Sequence, residues 1–151
     1  GLCHSMAHKL GAMFHVPHGV ANALLIRQVI KYNATDCPKK QATFPQYKFP
    51  CAVERYAQIA DELKLGGNTK EEKTQLLLDA IEKLMRSINL PMSIKEFLEG
   101  QKIENPEEYF MSKLDEMVEL AFDDQCTGAN PVYPIMTDMK QLYIDAFNGV
   151  V

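Results

Sequence analysis

The chain has few of the features that mark membrane or nucleic-acid-binding proteins. Its longest apolar run, residues 20–26, is interrupted by Asn22 and ended by Arg27, far short of the roughly 20 residues that a membrane span needs. Sixteen Lys and Arg residues against twenty Asp and Glu residues give a formal net charge of -4. No basic stripe is interleaved with aromatic side chains, so we expect neither a membrane nor a nucleic-acid partner.

Cysteine is scattered and strand signals are missing. The four cysteines, Cys3, Cys37, Cys51 and Cys126, form no CxxC pair, and a domain of 151 residues can stabilise itself without disulfide bonds. Free thiols in a reducing cytoplasm are the expectation. No segment alternates apolar and polar residues with a period of two over a useful length, so the sequence predicts an all-α fold.

Apolar residues recur instead at helical spacing. Leu2, Met6, Leu10 and Met13 predict a first helix that ends near Phe14. Later helices follow Pro17, Pro50, the capping-box pairs Thr69/Glu72 and Ser93/Glu96, the start signal Asn105-Pro106, and Thr137. The predicted apolar stripe of the fourth helix is Leu76, Leu77, Ala80, Ile81, Leu84 and Ile88. Residues 33–50, with three prolines, and residues 123–134 are predicted loops.

All four histidines lie between positions 4 and 18. His4 and His8 are four residues apart on the first predicted helix, so their rings project to the same side. His18 follows the break at Pro17 and could swing back towards that side. No Glu follows His4, which excludes the HExxH zinc motif. The histidines are either metal ligands or ordinary structural and exposed residues, and His15 fits the second description.

Two stretches resemble a known family. GLCHSMAHKLGAMFHVPHGVANALLI, residues 1–26, resembles the histidine signature of the iron-dependent alcohol dehydrogenases, which reads HxxxH, LGA and PHGxxNA. FDDQCTGANPVYP, residues 122–134, resembles the CTGxNP loop that precedes the family's final helix. The intervening KYNATDCPKKQATFPQYKFP and RYAQIADEL are most similar to the alcohol dehydrogenase half of bifunctional aldehyde-alcohol dehydrogenases.

The resemblance implies a fold and a set of site residues. Residues 1–151 would be the later part of an all-helical, bundle-like metal-binding domain, with the nucleotide-binding domain absent from this chain. The family holds Fe²⁺, sometimes replaced by Zn²⁺, with one Asp and three His, of which His4 and His18 match two. The other two ligands would lie in an earlier segment. His8 matches a histidine beside the metal and is the expected catalytic residue, as a proton relay or a positioning group.

The positions of several further residues predict roles near the site. Cys126 and Gly128 would border the substrate pocket, or else belong to a tight turn in which Gly128 relaxes the backbone and Asn130 caps. Asn22, one helical turn beyond His18, is a candidate for orienting its ring. Asp123 and Asp124 end a helix, where negative charge opposes the helix dipole, so a cationic partner such as a lysine is expected nearby.

Two functions remain open. The first, implied by the resemblance, is part of an enzyme that reduces acetaldehyde to ethanol with NADH. Such an enzyme would be cytoplasmic and homo-oligomeric, and some relatives form filaments. On this hypothesis the chain alone is inactive, because half of the metal ligands and the nucleotide-binding domain would be missing. The chain begins with Gly1, close to the histidine cluster, and we expect it to be a piece of a longer protein. The second is a helical interaction or assembly module with a structural metal or none.

Overall fold

A computed structural model describes residues 1–35 and 52–151, which contain helices and no strand. The all-α prediction is therefore confirmed for this part of the chain. The predicted loop at 33–50 lies mostly outside the described residues, as do Cys37 and Cys51. The helices are α1 (Leu2–Phe14), α2 (His18–Asn33), α3 (Ala52–Glu62), α4 (Lys70–Ser87), α5 (Ile94–Gly100), α6 (Pro106–Phe122) and α7 (Met136–Asn148), with a 3₁₀ turn at Thr127–Ala129.

The core lies between α1, α2, α6 and α7. The inner face of α1 is fully buried at Leu2, Met6 and Leu10, as the predicted apolar stripe requires. Phe110 of α6 stacks on Phe147 of α7 with ring centres 4.5 Å apart. α3 packs on α4, and α5 packs on α6 and α7. The four-helix core holds α1 along one face, which leaves the histidines of α1 at the surface.

The turn between α1 and α2 brings the start of α2 against the first half of α1. α1 ends at Phe14 and is capped by His15, whose backbone is left-handed (φ 53°) and whose N–H donates to the Gly11 carbonyl at 3.1 Å. Pro17 is extended and precedes α2, which begins at His18. The predicted helix after Pro17 is thus confirmed, and it begins at the next residue. A proline suits the position before the first turn because it has no N–H that needs a partner there.

Helix starts were otherwise predicted closely. The Thr69 hydroxyl accepts from the Glu72 amide at 3.1 Å, and the Glu72 carboxylate accepts from the Thr69 amide at 3.4 Å, which confirms that capping box. Asn105 differs, because its backbone is left-handed (φ 45°) and its side chain makes no capping bond. The last helix begins at Met136 rather than at Thr137, and its Ile135 amide donates to the Asp138 carboxylate.

The predicted stripe of α4 is partly wrong. Leu84 and Ile88 are 60% and 58% exposed, whereas Leu78 and Met85 are 2% and 4% exposed. Both sets of positions satisfy a 3.6-residue period, so periodicity alone does not choose between them. The neighbouring helices α2 and α3 decide which face is covered. Within the described residues, no helix is both long enough and apolar enough to cross a membrane.

Candidate functional site

Three of the four histidines meet where the first half of α1 faces the start of α2. The ring centres of His4 and His18 are 5.2 Å apart, those of His8 and His18 5.8 Å, and those of His4 and His8 5.9 Å. All three residues are exposed. The expectation that His18 would swing back to His4 and His8 is met, and His15 stays outside the group as an exposed helix-ending residue. The site is open to a ligand or to another chain segment.

Asn22 holds the ring of His18. Its side-chain amide lies 3.3 Å from His18 Nε2 and donates to the His18 carbonyl at 2.9 Å, as the one-turn spacing predicted. The Cys3 thiol contacts the Asn22 side-chain oxygen at 3.5 Å. Burial raises the pKa of that thiol to about 11, so Cys3 is a neutral donor at neutral pH. An ion that binds His18 through Nε2 has to displace the Asn22 amide.

His8 is held by Asp124, which follows α6 in the chain. His8 Nδ1 lies 3.1 Å from Asp124 Oδ2, and Lys9 Nζ donates to the same oxygen at 2.9 Å. The backbone amide of Cys126 donates to the other oxygen, Oδ1, at 2.9 Å. Burial by itself would raise the pKa of Asp124, but these hydrogen bonds from Cys126, Lys9 and His8 hold it well below its usual range. Lys9 is the cationic partner that the helix-end argument required.

The CTGANP loop lies against the histidines. The ligand atoms of His8, Asp124 and Cys126 lie within 4.8 Å of one another, and no other three His, Cys, Asp or Glu side chains in residues 1–35 and 52–151 do so. Cys126, a free thiol, is therefore beside the expected catalytic histidine. Gly128 lies in the 3₁₀ turn Thr127–Ala129. Because 3₁₀ dihedrals suit any residue, this turn does not need the conformational freedom of glycine.

Asn130 connects the loop to both site helices. Its side-chain oxygen accepts from the backbone amide of Leu2 at 3.2 Å, and its amide donates to Asn33 at 2.7 Å and to the Val132 carbonyl at 2.7 Å. Asn130 is 2% exposed. The first of these bonds reaches Leu2, 128 residues earlier in the chain, rather than capping a turn of the loop itself. Sequence reasoning could not identify that partner.

The donor chemistry suits a borderline divalent metal but is incomplete. Neutral imidazoles such as those of His4 and His18 are good ligands for iron and zinc. A catalytic site commonly has at least three protein ligands, and within the described residues His4 and His18 share no group of three ligand atoms as close as 4.8 Å. The pair could supply two of the ligands of such an ion.

Comparison with known proteins identifies the family of the chain. Residues 1–147 match the family described as Fe-containing alcohol dehydrogenase family, C-terminal. The chain is 54% identical over 147 residues to an aldehyde-alcohol dehydrogenase of Clostridium acetobutylicum, covering 97% of this chain and 16% of that protein. It is 50% identical over 151 residues to the bifunctional aldehyde-alcohol dehydrogenase AdhE of Escherichia coli K12, covering 99% of this chain and 16% of that protein.

A solved structure has the same fold. The iron-containing alcohol dehydrogenase from Thermococcus thioreducens is similar with a TM-score of 0.71 and 32% sequence identity, over 99% of this chain and 32% of that one. The chain thus spans about a sixth of the length of the two aldehyde-alcohol dehydrogenases and about a third of the length of the Thermococcus thioreducens enzyme. With a family match that covers residues 1–147, the chain belongs to the Fe-containing alcohol dehydrogenase family, as part of its C-terminal region.

Proposed function

We propose that this chain is the later part of the metal-binding domain of an NAD-linked alcohol dehydrogenase that reduces acetaldehyde to ethanol within a bifunctional aldehyde-alcohol dehydrogenase. The observation that carries the proposal is the meeting of His4, His8 and His18 between the first half of α1 and the start of α2. The identity of 54% and 50% to two aldehyde-alcohol dehydrogenases supports the bifunctional parent.

His4 and His18 are the proposed ligands of Fe²⁺ or Zn²⁺. Their rings are close and exposed, and an aspartate and a further histidine from a segment outside this chain would complete the set. When bound, such an ion would polarise the substrate carbonyl, and NADH would supply the hydride. The ion would bind either His18 Nε2, after the Asn22 amide has moved away from that nitrogen, or His18 Nδ1. In either case the hydrogen bond from Asn22 to the His18 carbonyl would keep Asn22 nearby.

His8 is the proposed catalytic residue. Its ring is 39% exposed, and Asp124 engages it at Nδ1. The other nitrogen, Nε2, is then the atom that can give a proton to the forming alcohol oxygen or take one from it, directly or through water. Cys126 is close enough to border the substrate pocket, and Gly128 lies two residues further along the same loop. The site would serve a small alcohol or aldehyde.

The parent protein would supply what this chain does not. We propose that its nucleotide-binding domain lies in a segment outside these 151 residues, so that the chain alone has no alcohol dehydrogenase activity. A cytoplasmic location fits the free thiols of Cys3 and Cys126. The resemblance to aldehyde-alcohol dehydrogenases also leads us to expect that the parent protein forms homo-oligomers or filaments.

Metal content is the direct test of the ligand assignment. The matching segment of the Clostridium acetobutylicum enzyme would be replaced by this chain, and the purified chimera would be assayed for bound iron and zinc. We expect about one ion per chain, retained in His8→Ala and lost in His4→Ala and in His18→Ala. Loss in His8→Ala together with retention in His4→Ala would instead move the ion to the group His8, Asp124 and Cys126.

Activity is the second test. We expect NADH-dependent reduction of acetaldehyde by the chimera and none by the 151-residue chain alone. His15→Ala serves as a matched control, because His15 is exposed and outside the three-ring group, and it should keep full activity. Turnover by the isolated chain, or a chimera that folds and binds cofactor but never turns over, would refute the proposal.

A helical assembly module is the second candidate function. The observation in its favour is a set of large apolar side chains exposed on α3 and α4 or directly after these helices, namely Ile59, Leu63, Leu84 and Ile88. Exposed apolar surface often marks an interface. If this alternative is correct, changing those residues to polar ones will alter the oligomeric state of the chimera while the histidine variants leave metal content and activity unchanged.

A further inference from the structure

We infer that Asp124 is a positioning residue for catalysis, which fixes the direction and the tautomer of the His8 ring and is itself held by the Cys126 amide and Lys9. The inference rests on the proposed function, in which His8 transfers the proton. Asp124 and His8 are 116 positions apart, and their side chains meet at 3.1 Å. Nothing in the local sequence of either residue requires this contact.

The two carboxylate oxygens of Asp124 have separate partners. Oδ1 accepts from the Cys126 amide at 2.9 Å, and Oδ2 faces both His8 Nδ1 and Lys9 Nζ. The side chain is only 9% exposed. Rotation of the carboxylate would break the bond to the Cys126 backbone, and water has little access to replace it. Asp124 is therefore a fixed acceptor at a fixed place.

A fixed acceptor dictates the His8 tautomer. An ionised carboxylate can only accept hydrogen bonds, so the ring nitrogen that faces it, Nδ1, must carry the hydrogen. In neutral His8 the lone pair is then on Nε2. The low pKa of Asp124 agrees with an acceptor that stays ionised. Without Asp124, either nitrogen could carry the hydrogen and the ring could turn about its bonds.

Lys9 limits what Asp124 does to His8. The Lys9 ammonium lies 2.9 Å from Asp124 Oδ2, the same oxygen that faces His8. The negative charge next to the His8 ring is therefore already balanced. The contact then acts on His8 mainly through direction and tautomer rather than through an uncompensated charge. Lys9 is also the residue after His8 on α1, which ties the position of the carboxylate to the helix that carries the catalytic ring.

The first experiment determines the tautomer in the 151-residue chain. Long-range ¹H–¹⁵N correlation spectra of ¹⁵N-labelled protein, assigned with the His8→Ala variant, should show His8 protonated at Nδ1 at a pH where the ring is neutral. Asp124→Asn should give a mixture or the other tautomer, while Asp123→Asn should leave the spectrum unchanged because Asp123 is exposed. His8 protonated at Nε2 in the unmodified chain would overturn the inference without any variant.

The second experiment measures catalysis in the chimera. Asp124→Asn should lower kcat by about 10- to 100-fold, the range found when a group that orients a metal-bound histidine is removed, with little change in KM or metal content. Asp123→Asn is the matched control and should behave like the unmodified chimera. Unchanged kcat in Asp124→Asn would contradict the inference.

The two proposals fail in different ways. If His4→Ala keeps its metal, or if the unmodified chimera is inactive, the proposed function is wrong, and the tautomer of His8 still reports on Asp124. If Asp124→Asn proves unfolded by far-ultraviolet circular dichroism, the inference is still tested by the His8 tautomer in the unmodified chain and by the variant Asp124→Glu, which keeps the carboxylate. Asp124→Glu keeps an ionised acceptor and should retain more activity than a folded Asp124→Ala, and the reverse order would contradict a positioning role.

Discussion

Asn130 and Asn33 exchange two side-chain hydrogen bonds, at 2.7 and 3.2 Å, across 97 positions of the chain. Asn130 also accepts from the backbone amide of Leu2, the first residue of the helix that carries His4 and His8. One buried amide thus joins the CTGANP loop, the end of α2 and the start of α1. The three elements that build the candidate site are held in one arrangement by this residue.

Asn130→Ala should strongly destabilise the chain. The change leaves the Leu2 amide, the Asn33 side chain and the Val132 carbonyl without their partner in a buried place, and unmet buried groups cost about 1–3 kcal/mol each before relaxation. We expect a loss of roughly 3 kcal/mol in the free energy of unfolding, measured by urea titration. Asn148→Ala removes one exposed bond to the Ile144 carbonyl and should cost at most about 1 kcal/mol. Equal losses in the two variants would refute the role given to Asn130.

Two leucines of α4 should respond very differently to truncation. Leu78 is 2% exposed and Leu84 is 60% exposed. Leu78→Ala removes buried methyl groups and should cost about 2–5 kcal/mol of unfolding free energy, whereas Leu84→Ala should change it by less than about 0.5 kcal/mol. Urea unfolding of both variants measures this. A larger loss in Leu84→Ala would mean that the face of α4 predicted from the apolar stripe is the buried one after all.

Gly149 should not tolerate a side chain. It ends α7 in the left-handed region (φ +71°), and a Cβ there would lie 3.2 Å from the Met92 carbonyl oxygen and 3.3 Å from Ser93 Cβ. Gly149→Ala should lower the free energy of unfolding by about 2 kcal/mol, from left-handed strain and crowding together. Gly100→Ala is the control, since nothing lies within 4 Å of a Cβ at that position. There we expect no loss, or a gain of up to about 1 kcal/mol.

Cys3 should react slowly with thiol reagents in the folded chain. Its pKa of about 11, raised by burial from 9.0, leaves a smaller thiolate fraction at pH 8, and the thiolate is the reactive form. Iodoacetamide should label Cys3 at least about 100-fold more slowly in the native chain than in urea, since two pKa units are a factor of 100 in thiolate. The native rate should keep rising with pH towards 11. Peptide mass spectrometry follows the labelling of Cys3. Equal labelling rates in the native and the unfolded chain at pH 8 would exclude a raised pKa for this thiol.

Local sequence patterns were enough to predict the positions of most of the helices. The capping pair Thr69/Glu72 and the break at Pro17 act over a few residues, so their effect can be predicted without knowing the rest of the fold. The start of α6 shows where this fails. Asn105 has a residue type that usually caps a helix, yet its backbone is left-handed and its side chain makes no capping bond.

The choice of buried face needed the tertiary structure. On α4, two overlapping sets of apolar residues fit the same helical period, and only the positions of α2 and α3 decide that Leu78 and Met85 are covered while Leu84 and Ile88 are not. Hydrophobic burial depends on what lies opposite a side chain, and that information is not local.

The candidate site divides in the same way. The spacing of His4 and His8 on one helix, with His18 after a break, was sufficient to predict by itself that the three rings could meet, because helix geometry sets which side chains share a face. The sequence also predicted that Asp124 needs a cationic partner. Only the tertiary structure decided that the partner is Lys9, that Asp124 engages His8, and that Asn130 accepts from the Leu2 amide. These contacts join residues more than 100 positions apart, and the packing of α6 and its loop on α1 determines which of them meet.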